Sequence, residues 1–351
     1  MSTAREVVSA LAWRGCRGFG LCSGIALLIL LTLVIVGNTQ RPVEPRYQSR
    51  TATQWLDDLE ERKNSEYPLA IQRIGTNILP YILQSIEPVQ SPWRKAYSRA
   101  RERIPTLLRN FFPQAGATFD VMDATDALVA IGPAAVPPCL NYLKHSNPVV
   151  RQAAAQALGS LAAPSTSRTA VIGALIEALE DENIEVRGYA IGSLGNIGPE
   201  ASNAVPAIAS YLTGPKDRRD ANFGKGLQLR AVEALGLMGP AAGGAIGVLK
   251  ANLSPAAAVD VTGNRMQIQV AIAIWRIDGD VETALPVLLR EIPASEDYRK
   301  CEWLQVLGEM ARQNEVARSF LVRILNEEQR DWVLECASNA LAAATHRLSP
   351  N

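Results

Sequence analysis

Histidine is nearly absent from this sequence, since His145 and His346 are the only two among 351 residues. The five cysteines lie far apart and form no Cys-x-x-Cys pair. A zinc site needs several histidine or cysteine ligands at short spacings, so no metal site is predicted. The odd number and wide spacing of the cysteines also argue against a disulfide framework. We expect Cys139, Cys301 and Cys336 to be small buried helix residues.

Motifs for catalysis or cofactor binding are also lacking. No serine or cysteine stands in a nucleophile-elbow context, and no Gly-Lys-Ser or Gly-Lys-Thr marks a phosphate-binding loop. Neighbouring carboxylates such as Asp57 and Asp58 point to different sides of a helix, so they do not form an acid/base pair. The sequence therefore predicts neither catalytic residues nor a cofactor. We interpret the recurring glycines as turn residues that need permissive backbone angles: Gly195, Gly198, Gly236, Gly239, Gly243 and Gly244.

The chain has no excess of either charge, because 35 Lys and Arg balance 35 Asp and Glu. A nucleic-acid-binding domain normally shows a basic excess, so no nucleic-acid partner is expected. Aromatic residues make up only 6% of the chain, whereas apolar residues make up 48%. A core of Ala, Leu, Ile and Val suits short, closely packed helices, and the composition favours an all-α protein.

One long apolar run, from Leu21 to Val36, follows three arginines at the start of the chain. Its length of 16 residues lies between that of the apolar region of a signal peptide and that of a full membrane span. Positive charge before the run predicts a cytoplasmic segment at 1–20 and a signal anchor at 21–37. A proline-containing tether at 38–50 would then lead to the main body on the periplasmic side of the membrane. The alternative is a signal peptide that is cleaved to leave a secreted or periplasmic protein.

From Leu128 onward, a five-residue block recurs at intervals of 30 to 41 residues, which is typical of a stacked repeat array, and an earlier copy begins at Ile71. Four of the copies are followed by a proline, which we expect at the opening of the next helix, where its missing N–H costs nothing. Each unit is thus predicted to be a helix, a glycine-rich turn and a proline-started helix. The copies begin at Ile71, Leu128, Leu158, Leu194, Leu235, Ile274, Leu307 and Leu341, and the prolines are Pro80, Pro137, Pro206 and Pro286.

The opening of two of these units adds a Val-Arg pair and an alanine, at Val150-Arg151 with Ala154 and at Val186-Arg187 with Ala190. Together with the Leu-Gly-x-Ile-Gly block and the proline, this pattern resembles HEAT repeats. The resemblance implies an all-α, right-handed α-solenoid of about seven or eight helical pairs over residues 51–347, with second helices lining a concave face. It also implies that the recurring arginine pairs with an acidic residue of a neighbouring turn, here Asp181 or Glu182.

Residues 84–118 interrupt the series and form a basic insertion. Its interleaved basic and aromatic side chains suit an acidic peptide, a glycan or a phospholipid surface, although a solvated amphipathic helix has the same pattern. We predict that the insertion contacts a partner through Trp93, Arg94, Lys95, Tyr97, Arg99, Arg101 and Arg103.

The resemblance and the missing motifs together predict a non-enzymatic, membrane-anchored scaffold that binds a protein partner on the solenoid surface. HEAT-like metal hydroxylases need repeated His-Glu dipeptides, and this chain contains none. Two alternatives stay open. One is a HEAT-like enzyme of the bilin-lyase or DNA-glycosylase type, and the other is a soluble cytoplasmic scaffold whose apolar run packs onto the array.

Overall fold

The computed structural model describes the following residues: 44–62, 65–86, 119–162, 167–214, 220–253, 261–295 and 299–345. The chain divides into two units, Met1–Ala52 and Thr53–Asn351. In the first unit, the described residues form a small antiparallel hairpin of β1 (Arg46–Tyr47) and β2 (Arg50–Thr51). The hairpin thus includes the last residues of the segment for which we predicted a tether.

Helices make up most of the described chain. In chain order they are α1 (Ala52–Glu61), α2 (Tyr67–Ile74), α3 (Leu79–Ser85), α4 (Val121–Ile131), α5 (Val136–Tyr142), α6 (Pro148–Leu161), α7 (Arg168–Ala178), α8 (Ile184–Ile197), α9 (Val205–Ala209), α10 (Asp220–Met238), α11 (Ile246–Ala251), α12 (Val261–Asp278), α13 (Val281–Ala294), α14 (Lys300–Met310), α15 (Glu315–Glu327) and α16 (Asp331–Thr345). Short 3-10 segments lie at Gly75–Ile78, Pro133–Ala135, Gly198–Ala204, Ser210–Thr213 and Gly239–Ala245.

From α2 onward the helices alternate between two rows, which makes the second unit an α-solenoid. The even-numbered helices from α2 to α16 form one row, in which most successive members pack directly on each other. We call this the stacking row. The odd-numbered helices and the 3-10 segments form the second row and cover one side of it. The predicted all-α repeat architecture is confirmed.

Local sequence explains where many of the helices begin. Asn147, Asn183 and Asn314 stand at the N-caps of α6, α8 and α15, and each side-chain oxygen accepts hydrogen bonds from backbone N–H groups of the first turn. These bonds satisfy donors that a helix start leaves free. In the second row, Pro80 and Pro137 lie in the first turns of α3 and α5, as the proline pattern predicted.

Pro286 departs from that pattern, because it lies inside α13 rather than at its start. No 3-10 segment separates α12 from α13, and Asp280 caps α13 by accepting a hydrogen bond from the backbone N–H of Thr283 at 2.9 Å. The hydrogen bond from Lys250 holds the pKa of Asp280 at about 2. The cap therefore starts α13 five residues before Pro286. The prediction that Pro286 opens this helix is wrong.

The core is built from small and aliphatic side chains, as the composition indicated. Trp55, Leu56 and Leu59 lie on one face of α1, and all three are buried. One described stretch, Gly226–Ala251, is apolar and long enough by composition to cross a membrane. It runs from α10 through a 3-10 segment into α11, and 44% of its most apolar window is buried within the array. The predicted signal anchor at 21–37 lies outside the described residues.

Candidate protein-binding surface

The stacking row is held together by contacts between a glycine on one helix and a small residue on the next. A Cβ atom placed on Gly159 would lie 2.6 Å from Oγ of Ser193, and one placed on Gly195 would lie 2.7 Å from Cα of Ala234. Such distances leave no room for a side chain, so these glycines permit close helix packing. The serine adds a bond between neighbours, because its hydroxyl donates to the carbonyl oxygen of Ala155 at 2.7 Å.

These contacts correct part of the sequence interpretation. Gly195 and Gly236 are not turn residues, since both lie within helices and pack against the following helix. Of the six glycines that we interpreted as turn residues, only Gly198 and Gly239 have positive φ angles, of 81° and 59°. They follow Gly195 and Gly236 by three residues. The spacing Gly-x-x-Gly therefore combines a packing glycine with a turn glycine.

Arg151 ties two neighbouring repeats together. Its Nε donates to Oδ2 of Asp181 at 2.8 Å, and its Nη2 donates to Oδ1 at 2.9 Å. A further bond, at 3.3 Å, goes to Glu182. The hydrogen bonds to Asp181 raise the pKa of Arg151. The predicted pairing of this arginine is confirmed, and the buried, bidentate geometry gives it a structural role.

Arg187 occupies the equivalent position on the next helix and continues the connection. Its Nη1 donates to the backbone carbonyl oxygen of Asp181 at 2.8 Å. Asp181 thus receives Arg151 on its carboxylate and Arg187 on its carbonyl group, so one turn residue joins two units. Both arginines are buried, so neither belongs to an exposed binding surface.

Five aromatic and charged side chains of the stacking row contact one another in two groups, and among them Arg230 is exposed while the others are partly exposed. The guanidinium of Arg230 lies 5.4 Å from the centroid of the Tyr189 ring, within cation–π range. One turn further along α10, Glu233 pairs with Arg265 at 3.8 Å and also with Arg299. We call these five residues the Tyr189 surface. It extends from α8 to the start of α14.

A groove with a volume of about 400 Å³ opens between the end of α12 and the end of α14. Trp275, Val281 and Met310 supply its apolar wall, and polar side chains follow at its edge. The polar residues are Glu309, Arg312, Gln313 and Asn314. Pockets of this size accommodate small ligands or single side chains of a partner.

Residues 136–222 match the model of the family described as HEAT repeats. The matched range contains the contact of Gly159 with Ser193 and the hydrogen bonds between Arg151 and Asp181. This part of the chain, in the middle of the stacking row, is made of HEAT repeats. No curated protein matches the chain.

Several solved structures resemble the HEAT array at low identity. A HEAT-like repeats protein from the archaeon Thermococcus onnurineus NA1 is 17% identical, with 64% of this chain and 92% of that chain covered and a TM-score of 0.36. The complex of CpcE and CpcF of phycocyanin lyase from Nostoc sp. PCC7120 is 18% identical, with 87% and 98% covered and a TM-score of 0.38. A Kap95p complex with RanGDP is 16% identical, with 89% and 43% covered and a TM-score of 0.42. We draw no functional conclusion from likenesses of this size.

The predicted partner-binding residues of the insertion lie outside the described residues. Trp93, Arg94, Lys95, Tyr97, Arg99, Arg101 and Arg103 all fall between the end of α3 and the start of α4. Gln84 and Ser85, which we assigned to the insertion, still belong to α3. In sequence, the predicted partner-binding residues lie between helices α3 and α4 of the described part of the chain.

His145 and Cys139, two further side chains that can react or bind metals, are held in a turn and in the core. His145 lies in the turn before α6, where its Nδ1 accepts a hydrogen bond from the backbone N–H of Asn147 at 3.1 Å. Burial raises the pKa of the Cys139 thiol to about 12, so this cysteine stays protonated and packs in the core, as predicted. Across the described part of the chain, no cluster of three or more His, Cys, Asp or Glu side chains is arranged to hold a metal ion.

Cys301 and Cys336 differ from the prediction, because they form a disulfide bond. They lie on α14 and α16, which are neighbours in the stacking row, and their Cα atoms are 5.2 Å apart. This distance falls in the usual range for disulfides. Their separation of 35 residues equals one repeat, which places equivalent faces of adjacent helices together. The spacing of the cysteines did not predict this bond. The spacing becomes informative only when the repeat register shows that both cysteines occupy equivalent positions of adjacent helices.

Proposed function

We propose that this HEAT-repeat chain is a non-enzymatic scaffold that binds a protein partner on the outer face of its stacking row. The Tyr189 surface is the observation that supports this function most directly. Tyrosine and arginine are the side chains that contribute most often to binding energy at protein interfaces. Here they are combined on a framework whose helices pack through glycine and alanine, which holds the surface in a fixed arrangement.

We further propose that residues 21–37 anchor the chain in a membrane, with the HEAT array outside the cytoplasm. The arginines before the apolar run favour this orientation. The Cys301–Cys336 disulfide supports it, because disulfides persist in oxidising compartments and are rare in the cytosol of most cells. Cleavage near Gly37 would give a soluble protein on the same side of the membrane.

The basic insertion is proposed as a second contact, for an acidic region of the same partner. Five basic residues between 94 and 103 give it a strong local charge, whereas the chain as a whole is neutral. Such a segment raises the rate of association with an acidic surface and makes binding sensitive to salt.

Crosslinking in intact cells tests the proposed function. The full-length chain is crosslinked and purified, and its bound proteins are compared with those of a Tyr189→Ala/Arg230→Glu variant and of an insertion variant with Arg94, Lys95, Arg99, Arg101 and Arg103 changed to Gln. We expect one main partner with the wild-type chain, a large loss with the first variant and a salt-dependent loss with the second.

The matched control neutralises exposed basic residues elsewhere in the array, at Arg73, Lys144 and Arg323. It should retain the partner. Loss of the partner in the control, or equal recovery with all variants, would contradict the proposed binding surface. Recovery of the full-length protein from the cytosol would overturn the anchor and the exported location together.

A further inference from the structure

The contacts of the stacking row follow a register rule. In each Leu-Gly block, the glycine lies against the residue that precedes the leucine of the next block. The rule joins Gly195 to Ala234 and Gly236 to Ala273, and it holds again near the C-terminus, where Gly308 lies against Ala340. Small residues at both positions let the helix backbones approach closely.

Trp275 breaks this rule. It occupies the glycine position of its block, and Val306 occupies the small-residue position of the next one. The helices concerned are α12 and α14, and they make far fewer backbone contacts than the other successive pairs of the row. Large side chains fill this junction instead, because Trp275 packs against a core cluster that includes Trp303 and Met310. Trp275 and Val306 thus stand where the junctions between Leu-Gly blocks have a glycine and a small residue.

The groove of about 400 Å³ lies at this break. Its wall is apolar, since Trp275, Val281 and Met310 line it. Glu309 and Arg312 stand at its edge as exposed groups of opposite charge. Within the described part of the chain, neither has an ion-pair partner, whereas Arg151, Arg168, Arg299, Arg318 and Arg330 all do.

We propose that the groove beside Trp275 binds a protein segment with one large apolar side chain between a basic and an acidic residue. The apolar side chain packs against Trp275 and Met310, and the flanking charges pair with Glu309 and Arg312. Charges of opposite sign at the edge select the direction of the segment as well as its sequence. They also disfavour a polyanion such as nucleic acid, which needs basic groups alone. This inference rests on the proposed scaffold function and assigns it a further, more specific site.

A displayed library of random nine-residue peptides tests this assignment with the full-length chain in detergent. We expect selected peptides to carry Leu, Met, Phe or Trp with Lys or Arg on one side and Asp or Glu on the other. Glu309→Lys and Arg312→Glu should each weaken a synthetic selected peptide about tenfold, which corresponds to about 1.4 kcal/mol. The double variant should bind a peptide with exchanged flanking charges better than the original one.

Arg73→Glu and Glu335→Lys are matched controls, since both change exposed charges outside the groove. They should leave peptide binding unchanged, and thermal unfolding should show that all five variants are folded like the wild-type chain. Failure to select such peptides, or equal binding of the selected peptide to the double variant, would overturn the groove assignment. Self-association that is abolished by the double variant would also overturn it, because the occupant would then be a second copy.

The outcome is separate from that of the proposed function. If the partner crosslinked in cells is retained by the groove variants and lost on changing Tyr189 and Arg230, the groove assignment fails and the scaffold function stands. If peptides bind the groove but no partner is captured in cells, the groove assignment stands and the proposed scaffold function fails.

Discussion

At the scale of single residues, two glycines of α8 have opposite roles. A Cβ on Gly195 would lie 2.7 Å from the backbone of Ala234, whereas a Cβ on Gly192 would meet nothing within 4 Å. We expect Gly195→Ala to destabilise the protein by about 1–3 kcal/mol, because α8 and α10 must move apart. Gly192→Ala should stabilise it by about 0.5–1 kcal/mol, since alanine favours a helix interior. Denaturant unfolding of both variants measures the difference, and equal effects would contradict the packing role of Gly195.

Arg151 gives a second residue-scale prediction. The exposed fractions of its side chain and of Asp181 are 8% and 12%, so the pair is largely removed from water. Arg151→Met leaves the carboxylate buried without its partner and should cost about 3 kcal/mol. The Arg168–Glu200 pair is more exposed than the Arg151–Asp181 pair, so Glu200→Gln should cost less than about 1 kcal/mol. Equal costs in urea unfolding would show that the Arg151 pair is no more important than a surface bridge.

The two pairs show what the sequence revealed at this scale. The arginine recurs at the start of two units, and the resemblance to HEAT repeats predicted that it pairs with Asp181 or Glu182. The role of Gly195 was not, because a packing glycine and a turn glycine are the same letter, and only the φ angles and the distance to Ala234 distinguish them.

At the scale of elements, the C-terminal helices depend on the disulfide. The wide junction at Trp275 gives α14 and α16 less support from the rest of the stacking row, and Cys301–Cys336 joins them to each other. We expect Cys301→Ala/Cys336→Ala to destabilise this part by about 2–4 kcal/mol. Hydrogen exchange should become faster in α14–α16 and remain unchanged in α6–α8.

Reduction of the wild-type chain should reproduce the same pattern, whereas the reductant should have no effect on the double variant. Uniform acceleration of exchange across the array would mean that the disulfide does not act locally. Exchange that is unchanged everywhere would mean that it contributes nothing to stability.

The same scale shows where repeat spacing fails as a guide to elements. Leu-Gly blocks and prolines located the helices from Leu128 to Ala251 well, because Pro137 and Pro206 each follow a 3-10 segment and lie in the first turn of a helix. Asp280 caps α13 directly, and this side chain overrides the proline pattern at Pro286. Caps act through one or two hydrogen bonds, so they are invisible to a pattern averaged over repeats.

At the scale of the whole molecule, the proposed location is supported by two features of the chain. The arginines before the apolar run favour a body outside the cytoplasm, and the disulfide favours an oxidising compartment. The sequence predicted the repeat architecture from its period, but it did not predict the Tyr189 surface. That surface joins residues from α8, α10, α12 and the start of α14, which only the register of stacking brings together.

A photo-crosslinking amino acid at position 230 in living cells tests the scaffold function most directly. Arg230 is exposed on the Tyr189 surface, and Lys144, which lies exposed after the second-row helix α5, is the control position. We predict that position 230 forms one discrete covalent adduct with another protein and that position 144 does not. The absence of an adduct at position 230, or the same adduct at both positions, would contradict a partner bound on the stacking row.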